Sequence, residues 1–406
     1  LDLLFLAYFA RHTAFALSAL GRPDGSPAPP PRRDGGAGLP SVSVLAACKN
    51  EAFVAGDLVS ALLALDYPAE RLQVIVVDDA STDGTGTILG HLAAAEPRLT
   101  CLRRPAGHGA AGNAGALNYA LPEASGEIVV VFDADHRPHP DALRHLVRHF
   151  TDPAVGAVQG RCVIRNPGDA PITRLVAIDY LAGYLVNEYG RQAVYGLPGY
   201  GGANCAVRTA SLRALGGWNE ASVTEDTDLT LRLLLSGQRV RYEPAAADEE
   251  EGVVTIRQYC RQRYRWARGH QQCCRDYLGA TWRAAHLSLT EKVETSMFLL
   301  VFHVPIVCFA ALAVVTLWFG GLLPPGPLPF TFVLWTLLFV GPLLELGGGL
   351  LLAGVRRRDT ISLVWFLPIF LLAGAICTKA WLDGMAGTRY AWVKTARAAR
   401  PARSHP

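Results

Sequence analysis

Two carboxylates, one residue apart, follow an apolar run in the segment EIVVVFDADHRP, residues 127–138. The run from Ile128 to Phe132 predicts a buried strand, and Asp133 and Asp135 lie just beyond its carboxyl end. Strand side chains point alternately to the two faces, so both carboxylates can face one ligand. Carboxylate oxygens bind hard cations, and Mg²⁺ is usually held by one or two carboxylates together with phosphates. The pair therefore predicts a site for Mg²⁺ or Mn²⁺ and a diphosphate.

Two other predicted strands also end in polar residues. SVSVLAACKNE ends with Asn50 and Glu51, and LQVIVVDDASTDGT carries Asp78, Asp79 and Asp83 at its end. In open α/β sheets, ligands bind beyond the carboxyl ends of the strands. Several acids at one edge repel one another unless a cation or a ligand offsets their charge. Capping of the following helix is the alternative for each acid taken singly, and it is the stronger interpretation for Asp83.

A third acidic motif, Thr224, Glu225 and Asp226, stands just before an apolar helix pattern. The dipole of a helix favours an ionised carboxylate at its N-terminus, which keeps Asp226 available as a proton acceptor. The alternative is an ordinary acidic first turn without a chemical role.

The segment TIRQYCRQRYRWARGH predicts a basic helix. Gln262, Arg265 and Trp266 fall at positions i, i+3 and i+4, so they share one helix face. An arginine suits paired hydrogen bonds to phosphate oxygens, and a tryptophan offers a flat apolar face to a sugar ring. Packing of Trp266 against the sheet and attachment of the whole helix to a membrane surface are the alternatives.

A sheet with helices around it is needed to bring these motifs together. Strand-like apolar runs alternate with helix-like runs over residues 41–290, which predicts an α/β domain with a mostly parallel sheet covered on both faces. Residues 21–40, GRPDGSPAPPPRRDGGAGLP, predict a flexible linker in front of this domain.

The C-terminal quarter is strongly apolar, in a chain of 406 residues of which half are hydrophobic. Residues 297–323 and 360–378 carry no formal charge, and residues 328–355 carry only Glu345. Each segment is long enough for the ~30 Å core of a bilayer, so residues 291–390 predict interfacial and transmembrane helices. Residues 1–20 predict a membrane-spanning or an interfacial helix.

Basic residues predict the topology of these helices. They lie between two apolar segments, at Arg356, Arg357 and Arg358, and in the tail 391–406, at Lys394, Arg397, Arg400 and Arg403. The positive-inside rule places both groups on the cytoplasmic side. Two complete C-terminal spans and an incomplete third fit this rule, with a break expected near Pro368 in the middle of residues 360–386. The net charge of +3 is too small to predict a nucleic-acid partner.

The ordered motifs VDD, DAD, TED and QRYRW, followed by apolar segments, resemble the family 2 inverting glycosyltransferases. The resemblance covers about residues 41–395 and is strongest to the membrane-integrated synthases of cellulose, chitin, hyaluronan and poly-N-acetylglucosamine. It implies a GT-A fold, a nucleotide-sugar donor that is usually a UDP-sugar, and a divalent cation, Mg²⁺ or Mn²⁺, at Asp135.

The same resemblance implies roles for the other motif residues. Asp226 would be the general base, with Glu225 and Thr224 in the same motif. The donor nucleotide would contact Asn50, Glu51, Asp78 or Asp79, and Asp133. The acceptor and the leaving diphosphate would contact Gln262, Arg263, Arg265 and Trp266. This chain departs from the family pattern at Asn113, where these synthases often have a lysine, so the identity of the donor sugar stays open.

The leading hypothesis for function is a membrane-bound inverting β-glycosyltransferase that extends a polysaccharide and translocates it. It would be a multi-pass protein of the cell membrane with a cytoplasmic catalytic domain. The alternative is a non-processive enzyme that adds one sugar to a membrane lipid. A transporter or sugar receptor is a remote third hypothesis, because such a protein needs no proton acceptor beside a metal-type acid pair.

Overall fold

The computed structural model describes residues 2–21, 38–109, 112–322, 328–354 and 356–388. Most of the predicted linker, and the whole of the predicted tail 391–406, lie outside these residues.

Eight strands form one mixed sheet. They are β1 (Val42–Cys48), β2 (Leu72–Asp79), β3 (Leu99–Arg104), β4 (Ile128–Val131), β5 (Arg137–Pro138), β6 (Val155–Ile164), β7 (Cys205–Arg208) and β8 (Arg239–Glu250). Their spatial order is β3-β2-β1-β4-β7-β6-β8-β5. The four strands from β3 to β4 are parallel. β7 runs antiparallel to both of its neighbours, β6 and β8 are parallel, and β5 is antiparallel to β8.

The prediction of a mostly parallel sheet is thus correct for one half of the sheet and wrong for the other, which is mixed. The chain enters β7 from a glycine-rich loop, residues 196–202, that lies at the same edge as the carboxyl end of β4. Because β7 starts from that edge, it must run back against β4.

Helices cover both faces of the sheet. In chain order they are α1 (Asp2–Leu20), α2 (Ala55–Leu63), α3 (Thr85–Ala95), α4 (Asn113–Ala120), α5 (Ala142–Val147), α6 (Pro171–Ala182), α7 (Tyr189–Tyr195), α8 (Thr209–Ala214), α9 (Glu225–Leu235) and α10 (Ile256–Arg283). A π-helical turn, Gly183–Glu188, joins α6 to α7. Strand β2 shows why its sequence is continuously apolar: Val74 and Val76 pack with α2, α3 and α5, whereas Ile75 and Val77 pack with α4, α8 and α9.

Five further helices follow: α11 (Leu289–Leu300), α12 (Val304–Phe319), α13 (Leu328–Leu352), α14 (Arg357–Ser362) and α15 (Phe366–Met385). Within the described part of the chain, one helical run, Arg357–Met385, is long and apolar enough to cross a bilayer, and α11 with α12 forms a second candidate that is bent by 60°. In α13, the segment Val340–Leu352 is a shorter apolar helix. The two complete spans predicted before residue 356 are therefore not confirmed.

The predicted break near Pro368 is wrong. Residues Leu363–Trp365 form one 3₁₀ turn, and Pro368 lies in the first turn of α15, where a backbone N–H would have no partner inside the helix. Proline is tolerated there, so the helical run Arg357–Met385 continues through it.

Two polar residues in the otherwise apolar helix α1 bind it to α11 and α13. Arg11 donates to Glu294 of α11 in two hydrogen bonds of 2.8 Å. His12 lies 2.7 Å from Glu345 of α13, which also accepts a hydrogen bond from Asn187. The buried carboxylates of Glu294 and Glu345 thus both have polar partners, as burial in an apolar environment requires.

Candidate active site

A cavity of about 540 Å³ lies beyond the carboxyl ends of β1, β2 and β4. Its opposite walls come from α10, from the π-helical turn and from the glycine-rich loop before β7. The cavity extends from Lys49 and Asp79 at one end to Phe298 of α11 at the other. Irregular π-helical turns often occur at functional sites, and this one places Tyr184, Asn187 and Glu188 on the cavity wall.

Asp133 and Asp135 both line the cavity. Beneath them, His136 is buried; its Nδ1 hydrogen-bonds to Asp248 and its Nε2 lies 2.9 Å from Glu250. Burial alone would lower the pKa of His136, but the two carboxylates outweigh it and raise the pKa well above the ordinary value. The positive charge of His136 therefore lies close to the acid pair and stabilises its negative charge.

The carboxylates around the cavity fit a divalent cation. Asp133 and Asp135 share the wall with Glu250 and Glu251, of which Glu250 pairs with His136 and Glu251 with Arg165. A cation at the acid pair would offset the mutual repulsion of Asp133 and Asp135. His136, Cys162 and Asp248 also offer ligand atoms within 4.8 Å of one another. Both nitrogens of His136 already bond to carboxylates, and burial raises the pKa of the Cys162 thiol well above its ordinary value. The three residues are therefore better suited to stabilising the acid pair than to binding a metal ion.

Glu225 and Asp226 open helix α9 on the cavity wall. The backbone N–H of Thr227 donates to Asp226 Oδ1 at 2.6 Å, as expected at a helix N-terminus. Burial raises the pKa of Asp226, against the effect of Thr227 and Arg265. Burial and the neighbouring Asp226 also raise the pKa of Glu225, to about 7. Two acids side by side in this position favour a proton acceptor that works near neutral pH.

Two glycines allow the glycine-rich loop and α10 to lie close to the start of α9. Gly202 has a φ of +85°, and a Cβ there would lie 3.2 Å from Asp226 Oδ2. Gly269 of α10 lies against Thr224, and a Cβ at this position would lie 2.3 Å from Thr224 Cγ2. Only glycine lets α10 pack directly on the start of α9.

Helix α10 begins with a capping box between Thr255 and Gln258, and the predicted basic helix is confirmed. Gln262, Arg265 and Trp266 line the cavity from one face of it. The positive charge of Arg265 lowers the pKa of both acids of α9 against the effect of burial.

Arg263 is placed differently from the other three predicted residues of α10. It lies outside the cavity wall and pairs with Asp179 of α6. Its guanidinium carbon lies 4.5 Å from the centre of the Trp266 ring. Arg263 therefore fixes the orientation of Trp266 rather than facing a ligand.

The predicted donor residues divide into two groups. Glu51 and Asp79 line the cavity, and Asp79 Oδ1 accepts a hydrogen bond of 2.7 Å from buried Arg104. Asn50 and Asp78 lie outside the cavity wall and hold the neighbouring loop: Asn50 Oδ1 accepts from the N–H of Thr82, and Asp78 Oδ1 from that of Ser81.

The family model described as glycosyl transferase family group 2 matches residues 128–377, more than half of the chain. The chain belongs to this family. The match includes the acid pair, the start of α9 and the cavity face of α10, so the prediction of a glycosyltransferase is confirmed.

Two relatives of this glycosyltransferase are named beta-monoglucosyldiacylglycerol synthase. The one from Synechocystis sp. is 39% identical over 265 residues, 64% of this chain and 54% of the relative. The one from Nostoc sp. is 33% identical over 374 residues, 88% of this chain and 76% of the relative. A poly-beta-1,6-N-acetyl-D-glucosamine synthase from Staphylococcus epidermidis is 27% identical, over 68% of this chain and 65% of the relative. The chain thus spans about half the length of the first of these proteins.

The fold is shared with a solved glycosyltransferase. The structure of mannosyltransferase PcManGT from Pyrobaculum calidifontis, in complex with GDP-Man and Mn²⁺, superimposes with a TM-score of 0.52 at 23% identity. The match covers 96% of this chain and 99% of the other. The predicted glycosyltransferase fold of GT-A type is therefore confirmed.

Three residues of the glycosyltransferase site were missed from the sequence. His136 directly follows the acid pair, but its partner Asp248 lies 112 residues away and gives no local signal. Gly269 is recognisable only from its contact with Thr224. His270 lines the cavity and lies one turn after Trp266 on the same face of α10, so helical spacing alone could have found it.

Proposed function

We propose that this glycosyltransferase moves a hexose, with inversion, from a nucleotide sugar such as a UDP-sugar to a hydroxyl of an acceptor held at a membrane. The observation that carries the proposal is the convergence of an acid pair, a helix-terminal carboxylate and an arginine on one cavity. Asp133 and Asp135, Asp226, and Arg265 all line it. Direct displacement at an anomeric carbon needs these three kinds of group.

In the proposed reaction, Asp226 accepts the proton of the acceptor hydroxyl as its oxygen bonds to the anomeric carbon. The bond from that carbon to the diphosphate breaks, and the electron pair leaves with the nucleoside diphosphate. Attack opposite the leaving group converts an α-linked donor into a β-linked product. Arg265 stabilises the negative charge on the departing phosphate.

A divalent cation, Mg²⁺ or Mn²⁺, would be held by Asp135 together with Asp133 and would supply further positive charge to the diphosphate. Glu51 and Asp79 would contact the nucleoside, since they line the end of the cavity beyond the acid pair. Gln262 and Trp266 would contact the acceptor, Trp266 through its flat ring.

The acceptor that we favour is a lipid with a free hydroxyl, such as diacylglycerol. The relatives from Synechocystis sp. and Nostoc sp. are named for the synthesis of a monoglucosyl derivative of diacylglycerol. The end of the cavity opposite the nucleotide is formed by Phe298 of α11, and α11 leads into helices with exposed apolar side chains. These include Phe309, Leu317 and Phe319 of α12, and Leu367, Leu382 and Met385 of α15. A lipid could therefore lie along these helices with its polar end in the cavity.

The same apolar surfaces support a location at the cell membrane, with the catalytic domain on the cytoplasmic side where nucleotide sugars are found. Helix Arg357–Met385, about 43 Å long at 1.5 Å per residue, exceeds the ~30 Å core of a bilayer. A cysteine introduced at the exposed Ser60 of α2, in the catalytic domain, and labelled only from the outer side would contradict this location.

Extension of a polysaccharide is the second candidate function, favoured by the relative that makes poly-N-acetylglucosamine. One experiment separates the two. Purified protein in vesicles containing diacylglycerol is incubated with labelled UDP-glucose or UDP-N-acetylglucosamine, and an Asp226→Asn variant serves as the control. We expect label in the organic extract that resists β-glycanases. Label in a water-soluble polymer that β-glycanases digest would establish the second candidate, and no transfer with either donor would overturn both.

A further inference from the structure

A chain of hydrogen bonds runs from Asp226 into the wall behind it. Asp226 Oδ1 receives the backbone N–H of Thr227 at 2.6 Å and lies 3.3 Å from the Thr227 hydroxyl. The same hydroxyl lies 3.2 Å from Nε2 of His270 on α10. Thr227 is buried, so water does not compete for these bonds.

The surroundings of His270 keep its ring neutral and fixed. Burial, followed by the charges of Arg191 and His303, lowers the pKa of His270 to about 3. The ring packs against Phe298 and Phe302, with centroid distances of 5.4 Å and 4.7 Å. A neutral imidazole carries one N–H and one acceptor nitrogen, so the geometry leaves two possible tautomers.

The hydrogen-bond partners of the two ring nitrogens decide between these tautomers. Among the described residues, Nδ1 of His270 is buried and has no hydrogen-bond partner. A buried N–H without a partner is rarer and more costly than a buried acceptor without one. The proton therefore belongs on Nε2, which donates to the Thr227 hydroxyl oxygen. That oxygen then has its own proton to donate to Asp226 Oδ1.

We infer that His270 is a positioning residue that acts through the Thr227 hydroxyl to hold Asp226 ionised and oriented for proton transfer. The inference rests on the proposed function, because it takes Asp226 as the base. With Oδ1 engaged by Thr227, the other oxygen, Oδ2, lies beside Gly202 on the cavity wall. Oδ2 is then the oxygen that receives the proton from the acceptor.

Other charged and titratable groups also face Asp226 and His270, and none of them replaces the hydrogen bond from the Thr227 hydroxyl to Asp226. Those around Asp226 are Glu225 on α9, Arg265 and Cys273 on α10, and Tyr200 and Cys205 near the glycine-rich loop. Those around His270 are Arg191 and His303. Each acts through space, and removal of a single hydroxyl leaves all of them in place.

The first test is Thr227→Val, which keeps the shape and the backbone N–H and removes only the hydroxyl. Loss of a hydrogen bond to the carboxylate raises the pKa of Asp226, so the acid limb of the kcat profile should move up by about one pH unit. At pH values below the limb, kcat should fall about tenfold; above it, kcat should recover, with the KM for the donor unchanged. Thr227→Ser restores the hydroxyl and should restore the wild-type profile.

His270→Leu leaves the Thr227 hydroxyl in place but lets it rotate, so the acid limb should move in the same direction by less than in Thr227→Val. The double variant should be no worse than Thr227→Val alone, because the two residues act in one chain. His270→Gln, which retains an N–H donor, should recover part of the profile. A loss of kcat that is equal at all pH values, or additive losses in the double variant, would show that His270 only packs and would overturn the inference.

Release of UDP from the donor is the readout, so that it does not depend on which acceptor is correct. A wild-type protein that releases no nucleotide in the presence of acceptor contradicts the proposed function itself. ¹⁵N NMR of histidine-labelled protein, assigned with His270→Gln, tests the inference separately from activity. We expect a neutral, Nε2-protonated ring at pH 5, and an Nδ1-protonated or charged ring would overturn the inference.

Discussion

The two ends of the cavity differ in whether their polar side chains already have hydrogen-bonding partners within the protein. At the nucleotide end, Asp79 is bound to buried Arg104 and lies 3.5 Å from Lys49. At the end formed by α10, the Gln262 side-chain oxygen is buried and has no hydrogen-bond partner among the described residues. Trp266, one turn further along the same face of α10, adds an aromatic surface to this wall. The charged groups at the proposed nucleotide end are therefore paired with each other, whereas the proposed acceptor end keeps hydrogen-bonding capacity for a ligand.

This difference indicates how the two substrates are selected. A paired ionic network is rigid and presents a fixed shape, which suits a nucleotide that is the same in every cycle. An unsatisfied buried hydrogen-bond acceptor costs free energy until a ligand hydroxyl donates to it, so it favours a substrate that places a hydroxyl group there. Mutations at the two ends should consequently affect different kinetic constants.

The largest effect is expected between the two ends, at the acid pair. Asp135→Asn removes the charge of the proposed cation ligand and should abolish transfer, while the melting temperature stays near that of the wild type because the residue lies at a strand end on the cavity wall. Transfer is measured over a range of Mg²⁺ and Mn²⁺ concentrations, with the exposed Asp57→Asn as the control. Near-normal turnover in the variant would contradict the cation assignment.

Asp226→Asn should lower kcat by ~10²–10⁴-fold, the range typical of the loss of a general base. The affinity for UDP should change little, because in the proposed reaction Asp226 contacts the acceptor hydroxyl and not the nucleotide. Turnover and UDP binding are measured on the same preparation. A large fall in UDP affinity with turnover preserved would assign Asp226 to the nucleotide end instead.

Arg104→Ala should sharpen the comparison at the nucleotide end. It leaves the carboxylate of Asp79 buried without its main partner, and removal of one member of a buried ion pair costs about 3–5 kcal/mol of stability. Thermal unfolding should show this loss, and the KM for the donor should rise more than that for the acceptor. Arg98→Ala is the matched control, since its pair with Glu96 is at the surface, and no measurable change is expected.

The smallest effect is expected from Gln262→Ala. It removes one neutral hydrogen-bonding group at the acceptor end, so the KM for the acceptor should rise by about three- to tenfold, with the donor KM unchanged. Arg261→Ala, on an exposed part of the same helix, is the control. Equal changes in both KM values would mean that the two ends are not separate.

Local signals made much of the fold and the site predictable. The apolar run of β2 implied a strand covered on both faces, and Val74 to Val77 do pack with helices on both sides. The spacing of Gln262, Arg265 and Trp266 implied one helix face, and all three line the cavity. The break predicted at Pro368 is wrong because the effect of a proline depends on its position within a helix. The sequence did not show that a helix starts two residues earlier.

By itself, the sequence determined that the acid motifs follow strands or begin a helix, because periodicity and helix-start signals act over a few neighbouring residues. The tertiary structure decided which of the acids share a cavity: it brings Asp79, Asp133 and Asp226 to one wall and leaves Asn50 and Asp78 outside it. It also gave His136 its buried partners and placed His270 behind the base. These relations depend on distance and burial, which residues far apart in the chain acquire only when the sheet and α10 are packed together.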